Sequence, residues 1–157
     1  MTRINELPVL TLIAFLLTAL PFYVRAGGYD PDFQPLDPQT LIDECVEKQR
    51  SLLDTGVTGV MREGMANVVV CLQDVIVDLT PVVFEPEVRT PEETRAMLDT
   101  MSKAYQSFMW QLYNEYRGCP AYCGTFYHIF HLDEYAMVLS TIINRMVDQM
   151  NEARISR

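Results

Sequence analysis

The sequence predicts an all-α domain built as a four-helix antiparallel bundle with short loops. Apolar residues recur every three or four positions over long stretches, which is the spacing of one face of a helix. Most of these stretches begin at residues that favour helix starts and end at typical turn residues. The connections between them are short, which favours antiparallel neighbours. The chain has 157 residues, enough for one domain with a sizeable core.

The first helix is predicted to start at Asp37 and to end at Leu53. Asp37 is a favourable N-cap, and Pro38 suits the first helical position because its missing N–H has no partner there. Cys45 falls on the apolar stripe of this helix, so we expect it to be buried. Residues 54–56, Asp-Thr-Gly, should stop the helix.

The second helix is predicted over Thr58–Leu79. The β-branched runs Val68–Val70 and Val75–Val77 would also suit a strand. We favour a helix because the helical periodicity is long and uninterrupted. Pro81 should end it, and residues 81–89 are predicted to form a loop that contains two prolines.

The third helix has the clearest start in the chain. Thr90 is an N-cap, Pro91 occupies the first position, and Glu93 completes a capping box. This helix is predicted to continue to about Arg117.

The last helix is predicted to begin between Thr125 and Leu132 and to end near Ala153. A compact turn, residues 118–124, precedes it. This is the fourth helix of the predicted bundle.

Residues 1–26 have the layout of a secretory signal peptide. Arg3 precedes the largely apolar run Val9–Val24, and small or short-branched residues precede a cleavage site after Ala26. The alternative is an uncleaved anchor, but this run of 16 residues contains Pro21 and is shorter than the ~20 that span a membrane. We therefore expect an exported protein, periplasmic or extracellular, with no stable membrane anchor after cleavage. Residues 27–36 would form an extended leader to a single helical domain, residues 37–157.

The charge of the chain is strongly acidic. It carries 12 basic and 21 acidic residues. Removal of Arg3, Glu6 and Arg25 with the leader leaves 10 basic and 20 acidic residues, a formal charge of −10. Nucleic acid is excluded as a partner because phosphate binding needs lysine and arginine. An acidic surface instead accelerates encounter with a cationic protein, although it also serves simple solubility.

Four cysteines lie in the predicted exported part, namely Cys45, Cys71, Cys119 and Cys123. An even number in an oxidising compartment predicts disulfides, and three pairings can be formed. With the turn between the first two helices near Gly56, Cys45 and Cys71 would differ in height by roughly 9 Å, which is too far for a disulfide. With a turn nearer Val60 the heights converge, so this pairing is plausible but not forced. A zinc site is disfavoured because no C-x-x-C occurs. A redox-active Cys119–Cys123 pair is disfavoured because its spacing is not that of oxidoreductases.

No residue pattern predicts catalysis, so we expect no enzyme activity and no cofactor. His128, His131 and Glu134 would share one face of a helix and are the only candidates for a metal site. They lack the H-E-x-x-H pattern, and ordinary packed or solvent-facing histidines are the favoured interpretation. No G-x-S-x-G motif is present.

Two loops are candidates for protein recognition. Phe84, Glu85 and Glu87 place an aromatic ring and two acids beside prolines, on a connection that we expect to be exposed. Tyr122 lies between Cys119 and Cys123. Rigid aromatic loops suit insertion into the cleft of another protein, although an ordinary connection is the alternative for each.

Four motifs between Cys45 and Met150 follow the pattern of a known family. They are Glu44-Cys45-Val46, Cys71-Leu72 within Met65–Leu79, the aromatic-rich stretch from Ala104 to Cys119, and Gly124-Thr125 followed by Arg145. In these motifs the chain resembles the LprI-type lysozyme inhibitors, which are small exported helical proteins. The resemblance implies inhibition of a lysozyme-type cell-wall hydrolase. An immunity protein against a periplasmic toxin, or an assembly factor of an exported machine, would have a similar sequence.

Overall fold

The computed structural model describes residues 34–116 and 124–155, which fold as five helices. They are α1 (Pro38–Glu47), α2 (Arg50–Leu53), α3 (Thr58–Val83), α4 (Pro91–Tyr116) and α5 (Gly124–Ile155). No strand occurs within the described ranges, so the all-α class is confirmed. The predicted signal peptide, most of the leader, Tyr122, Cys119 and Cys123 lie outside the described residues, as does the side chain of His128.

The predicted first helix is divided in two, which is why five helices occur where four were expected. At the break, the N–H of Gln49 donates to the carbonyl of Val46 (3.0 Å). This bond spans three residues, as in a 3₁₀ turn, where an α-helical bond would span four. The chain then bends, and α2 brings Leu52 against α3. The predicted stop is confirmed at Gly56, whose φ of 67° lies in the left-handed region that glycine favours.

The predicted cap of α1 is confirmed. The Asp37 carboxylate accepts hydrogen bonds from the Thr40 hydroxyl (2.8 Å) and from the backbone N–H groups of Gln39 and Thr40 (3.2 Å each). These bonds, with that of the Thr40 hydroxyl the largest, hold the pKa of Asp37 below its usual value. The cap therefore fixes where α1 starts.

Gly64 allows α2 and α3 to approach closely. A Cβ placed on Gly64 would lie 2.9 Å from the Cβ of Leu52 and 3.2 Å from the Cδ2 of Leu53. The Cβ of Leu52 is attached directly to the backbone of α2, so a change of the Leu52 rotamer cannot relieve the clash with it.

We therefore expect Gly64→Ala to destabilise the domain by about 1–3 kcal/mol, despite the higher helix propensity of alanine. Urea unfolding of the two proteins measures the difference. Gly59→Ala is the matched control, because nothing lies within 4 Å of a Cβ at that glycine of the same helix. An equal response of both variants would contradict the close packing of α2 on α3.

The predicted end of the second helix at Pro81 is wrong, because α3 continues to Val83 with Pro81 inside its last turn. Proline removes one N–H donor and its ring crowds the carbonyl four residues earlier, here that of Val77, so a helix continues past it only when other contacts compensate. Val83 and Thr80 are both fully buried. The contacts of these two side chains with the core outweigh the lost bond.

The core lies mainly between α3 and α5, the most extensively packed pair of helices. Its most deeply buried residues, with exposed fractions of 1% or less, are Cys45, Val68, Leu72, Ile76, Val83, Leu98, Leu139, Ile143 and Val147. Both valine-rich runs lie inside the helix α3, so their helical interpretation is confirmed, and each run contributes to this core. Helix α4 adds Leu98, and α1 adds Cys45.

Contacts of α1 fix the directions of the chain at one end of the domain. Cys45 is disulfide-bonded to Cys71, and α2 reaches Gly64, so α1 and α2 run antiparallel to α3. Leu36, just before α1, therefore lies towards the C-terminal end of α3. Its backbone exchanges two hydrogen bonds with the side-chain amide of Asn151 in α5 (3.0 and 3.2 Å). The start of α1 and the end of α5 thus meet near the α3–α4 connection.

Helix α3 is the one described helix that is long and apolar enough to cross a membrane, with a mean hydropathy of 1.6. It contacts all four other helices in the structure. Of its apolar window, 44% is buried inside the domain.

Candidate functional site

The connection between α3 and α4 is held in place by a buried aromatic ring. Phe84 follows directly after α3, and its side chain is 7% exposed within the main core. Its backbone N–H donates to the carbonyl of Thr80 (2.9 Å), which satisfies one of the last carbonyls of the helix. The prediction that Phe84 is an exposed recognition residue is therefore wrong. Burial of its large apolar ring is more favourable than exposure.

The backbone after Phe84 folds into a tight turn. The carbonyl of Glu85 accepts hydrogen bonds from the N–H groups of Val88 (2.9 Å) and Arg89 (3.1 Å). These two bonds close the turn on itself. Its conformation is consequently set by its own backbone before any partner arrives.

The capping box predicted at the start of α4 is confirmed and fixes the other end of the turn. The Thr90 hydroxyl accepts from the N–H of Glu93 (3.2 Å), and the Glu93 carboxylate accepts from the N–H of Thr90 (3.0 Å). Because this exchange occupies Glu93, its carboxylate is committed to the cap.

A buried polar contact and an ion pair join the helices on either side. The Thr80 hydroxyl lies 2.9 Å from the Ile76 carbonyl and 3.1 Å from the Thr94 hydroxyl, and both threonines are buried. Further along, Arg95 pairs with Asp74 at 2.8 Å. Polar groups buried in this way are directional, so they fix how α4 leaves the turn.

The tip of this connection is exposed and acidic. We call residues 85–88, Glu-Pro-Glu-Val, the acidic turn; all four are exposed, and Val88 is 42% exposed. The guanidinium of Arg89 donates to the Sδ of Met97 in α4 (3.6 Å) and so lies along that helix. The acidic turn thus presents two carboxylates and one apolar side chain on a rigid base. Such a group attracts cations and apolar surfaces.

Among the residues proposed from the sequence for recognition, the structure places Glu85 and Glu87 together at the exposed tip and Phe84 beneath them. Tyr122 lies outside the described residues. Sequence reasoning missed the anchoring role of Phe84 and the exposure of Val88. The apolar pair Val83-Phe84 just after Pro81 could have indicated a buried anchor.

The histidine-containing segment of α5 is used partly for packing between helices. Glu134 accepts a hydrogen bond from the Tyr105 hydroxyl (3.4 Å), and the rings of Tyr105 and Tyr135 lie 5.1 Å apart. The Tyr135 hydroxyl donates to the Leu98 carbonyl (3.3 Å), and burial raises the pKa of this phenol. Among the side chains that the structure describes, which do not include that of His128, no group of three or more His, Cys, Asp or Glu is placed to hold a metal ion.

Comparison of the chain with models of protein families, with curated proteins and with solved structures finds no match in any of the three.

Proposed function

We propose that this protein is an exported, non-catalytic inhibitor of a cationic, lysozyme-type cell-wall hydrolase. The observation that supports the proposal is the acidic turn, in which Glu85, Glu87 and Val88 are exposed on a base fixed by Phe84. A preorganised turn loses little conformational entropy when it binds. It is therefore suited to enter an open cleft.

Electrostatics support a basic partner. The part of the chain after the predicted leader carries a formal charge of −10, and two of its carboxylates are exposed together at the tip of the acidic turn. Long-range attraction raises the rate of encounter with a protein of opposite charge. The proposed partner is therefore a muramidase with a strongly basic surface around its cleft.

Export and architecture belong to the same proposal. A leader cleaved after Ala26 would deliver the domain to the compartment in which cell-wall hydrolases act. The Cys45–Cys71 disulfide, with Cα atoms 5.6 Å apart, suits an oxidising environment. The proposal also takes α1 and α2 as one bent helix of a four-helix antiparallel bundle, which the helical content and the bend between them support. The resemblance to the LprI-type inhibitors led to the same proposed target.

The proposal is tested by titrating a basic lysozyme-type muramidase with purified residues 27–157 and following cell-wall turnover. At low ionic strength we expect turnover to fall as the protein is added, with saturation near one inhibitor per enzyme. Addition of salt to about 0.15 M shortens the screening length to about 8 Å, so inhibition should weaken. Undiminished turnover at low ionic strength, with the protein in molar excess, contradicts the proposal for that enzyme.

A further inference from the structure

We propose that the Cys45–Cys71 disulfide is a redox-controlled latch for the N-terminal arm, which we define as residues 34–57. When the disulfide is intact, the arm is held against α3 and α5. When a dithiol reduces it, the arm detaches while α3, α4 and α5 stay folded. This inference holds independently of the partner of the acidic turn.

The non-covalent hold on the arm comes from few fully buried residues, although Leu41, Val46 and Leu53 also pack, partly buried, against the core. Of the residues in α1, only Ile42 and Cys45 are buried, and none of α2 is buried. Two exposed hydrogen-bonded pairs also hold the arm. The backbone of Leu36 bonds the side chain of Asn151, and the side-chain amide of Asn67 donates to that of Gln49 (3.1 Å). Segments with so few buried contacts open at low free energy, so the covalent bond is the main restraint on the arm.

The three long helices retain their own core without the arm. Apart from Ile42 and Cys45, every residue of the main buried cluster comes from α3, α4, α5 or the residue that follows α3. The contacts of α3 with α5 exceed those of any other pair of helices. Detachment of the arm therefore leaves most of the buried apolar surface in place.

The disulfide is accessible from one side. Cys45 is 1% exposed, whereas Cys71 is half-buried and lines an open groove of about 340 Å³. Val70, which is 53% exposed, and Lys48 line the same groove. A reductant can therefore approach the sulfur of Cys71 without prior unfolding.

The chemistry is thiol–disulfide exchange with a dithiol. One thiolate of the dithiol attacks Sγ of Cys71, a mixed disulfide forms, and Cys45 leaves as a thiolate that takes up a proton. The second thiol of the reductant then displaces Cys71, which is also protonated. Two electrons and two protons pass to the protein, and the reductant becomes a disulfide. The reverse exchange with an oxidised disulfide compound, which takes up the two electrons and two protons and becomes a dithiol, re-forms Cys45–Cys71 and closes the latch again.

Release has a direct structural consequence. Helix α1 contacts both α3 and α5, so its departure uncovers part of each helix. The sequence separation of 26 residues between the cysteines covers α2 and the turn before α3. Reduction therefore frees α1, α2 and the turn together, whereas the part of α3 between Thr58 and Cys71 stays packed on α5.

Native-state hydrogen exchange tests the proposal in the variant Cys119→Ser/Cys123→Ser, in which Cys45–Cys71 is the one remaining pair. The protein is treated with a dithiol without denaturant, and reduction is verified by the mass gain of two protons. We expect amides of α1 and α2 to exchange at least tenfold faster after reduction, while those around Leu139–Val147 in α5 remain protected. Reoxidation should restore the original pattern.

Three results would overturn the latch. They are unchanged exchange in the arm after verified reduction, loss of protection throughout α5, and resistance of the disulfide to the dithiol until denaturant is added. Cys45→Ser/Cys71→Ser in the same background provides a second measurement, because it should show the fast exchange of the arm without any reductant. Protection of its arm equal to that of the oxidised protein would also contradict the proposal.

Discussion

Leu139→Ala is expected to lower the free energy of unfolding by about 3 kcal/mol, since truncation of a buried leucine loses transfer free energy and leaves a cavity. Leu139 lies in α5, is fully buried, and belongs to the core that α5 shares with α3. Urea unfolding followed by circular dichroism measures the change. The dependence of the free energy on urea should stay the same, because the surface exposed on unfolding hardly changes.

The matched control for this prediction is two residues away in the same helix. Met137 is 58% exposed, so Met137→Ala should change the free energy of unfolding by less than about 0.5 kcal/mol. If Met137→Ala proved as destabilising as Leu139→Ala, the assignment of the buried face of α5 would be wrong.

The variant Glu85→Lys/Glu87→Lys is expected to lower the rate of association with a basic muramidase at least about tenfold at low ionic strength. Both side chains are exposed at the tip of the acidic turn, and the fold does not depend on them. Reversal of their charge replaces attraction by repulsion at the proposed point of contact. Stopped-flow or surface-based kinetics measure the rate, and inhibition of turnover should be lost in parallel.

A second double variant with the same net charge separates the effect of the acidic turn from the effect of net charge on the association rate. Glu44 in α1 and Glu63 in α3 are also exposed and lie outside the acidic turn. We expect Glu44→Lys/Glu63→Lys to slow association only about two- to threefold, because it changes the net charge but not the contact. Equal slowing by both double variants would show that net charge alone, and not the acidic turn, brings the partner.

Local sequence rules predicted the helix starts well because the atoms that decide them are close in the chain. Asp37 and Thr90 cap their helices as expected, with partners within three residues. The long valine-rich stretch of α3 was predicted from its periodicity despite a composition that suits strands. Its helical form follows from burial of one face against α5.

Predictions failed where distant contacts decide the outcome. The rule that proline ends a helix did not anticipate that burial of Thr80 and Val83 would carry α3 past Pro81. The same burial places Phe84 in the core, so only the acids of the predicted recognition loop are exposed. A ring and a carboxylate next to each other in the sequence can thus point to opposite sides of a turn.

The disulfide shows the same dependence on long-range geometry. A straight first helix would separate Cys45 and Cys71 in height, yet their Cα atoms lie 5.6 Å apart with the turn close to Gly56, as the sequence predicted. The height difference expected for a turn near Gly56 does not occur, because the chain bends between α1 and α2. The close approach at Gly64 that accompanies this bend has no counterpart in the local pattern of the sequence.

We propose that the acidic turn is the surface that binds a basic muramidase. Amide hydrogen exchange of residues 27–157, measured with and without a saturating amount of the enzyme at low ionic strength, tests it directly. We predict slower exchange confined to the acidic turn and to the neighbouring amides of Phe84, Arg89 and Thr90. Protection elsewhere with an unchanged turn, or no protection at all, would contradict the claim.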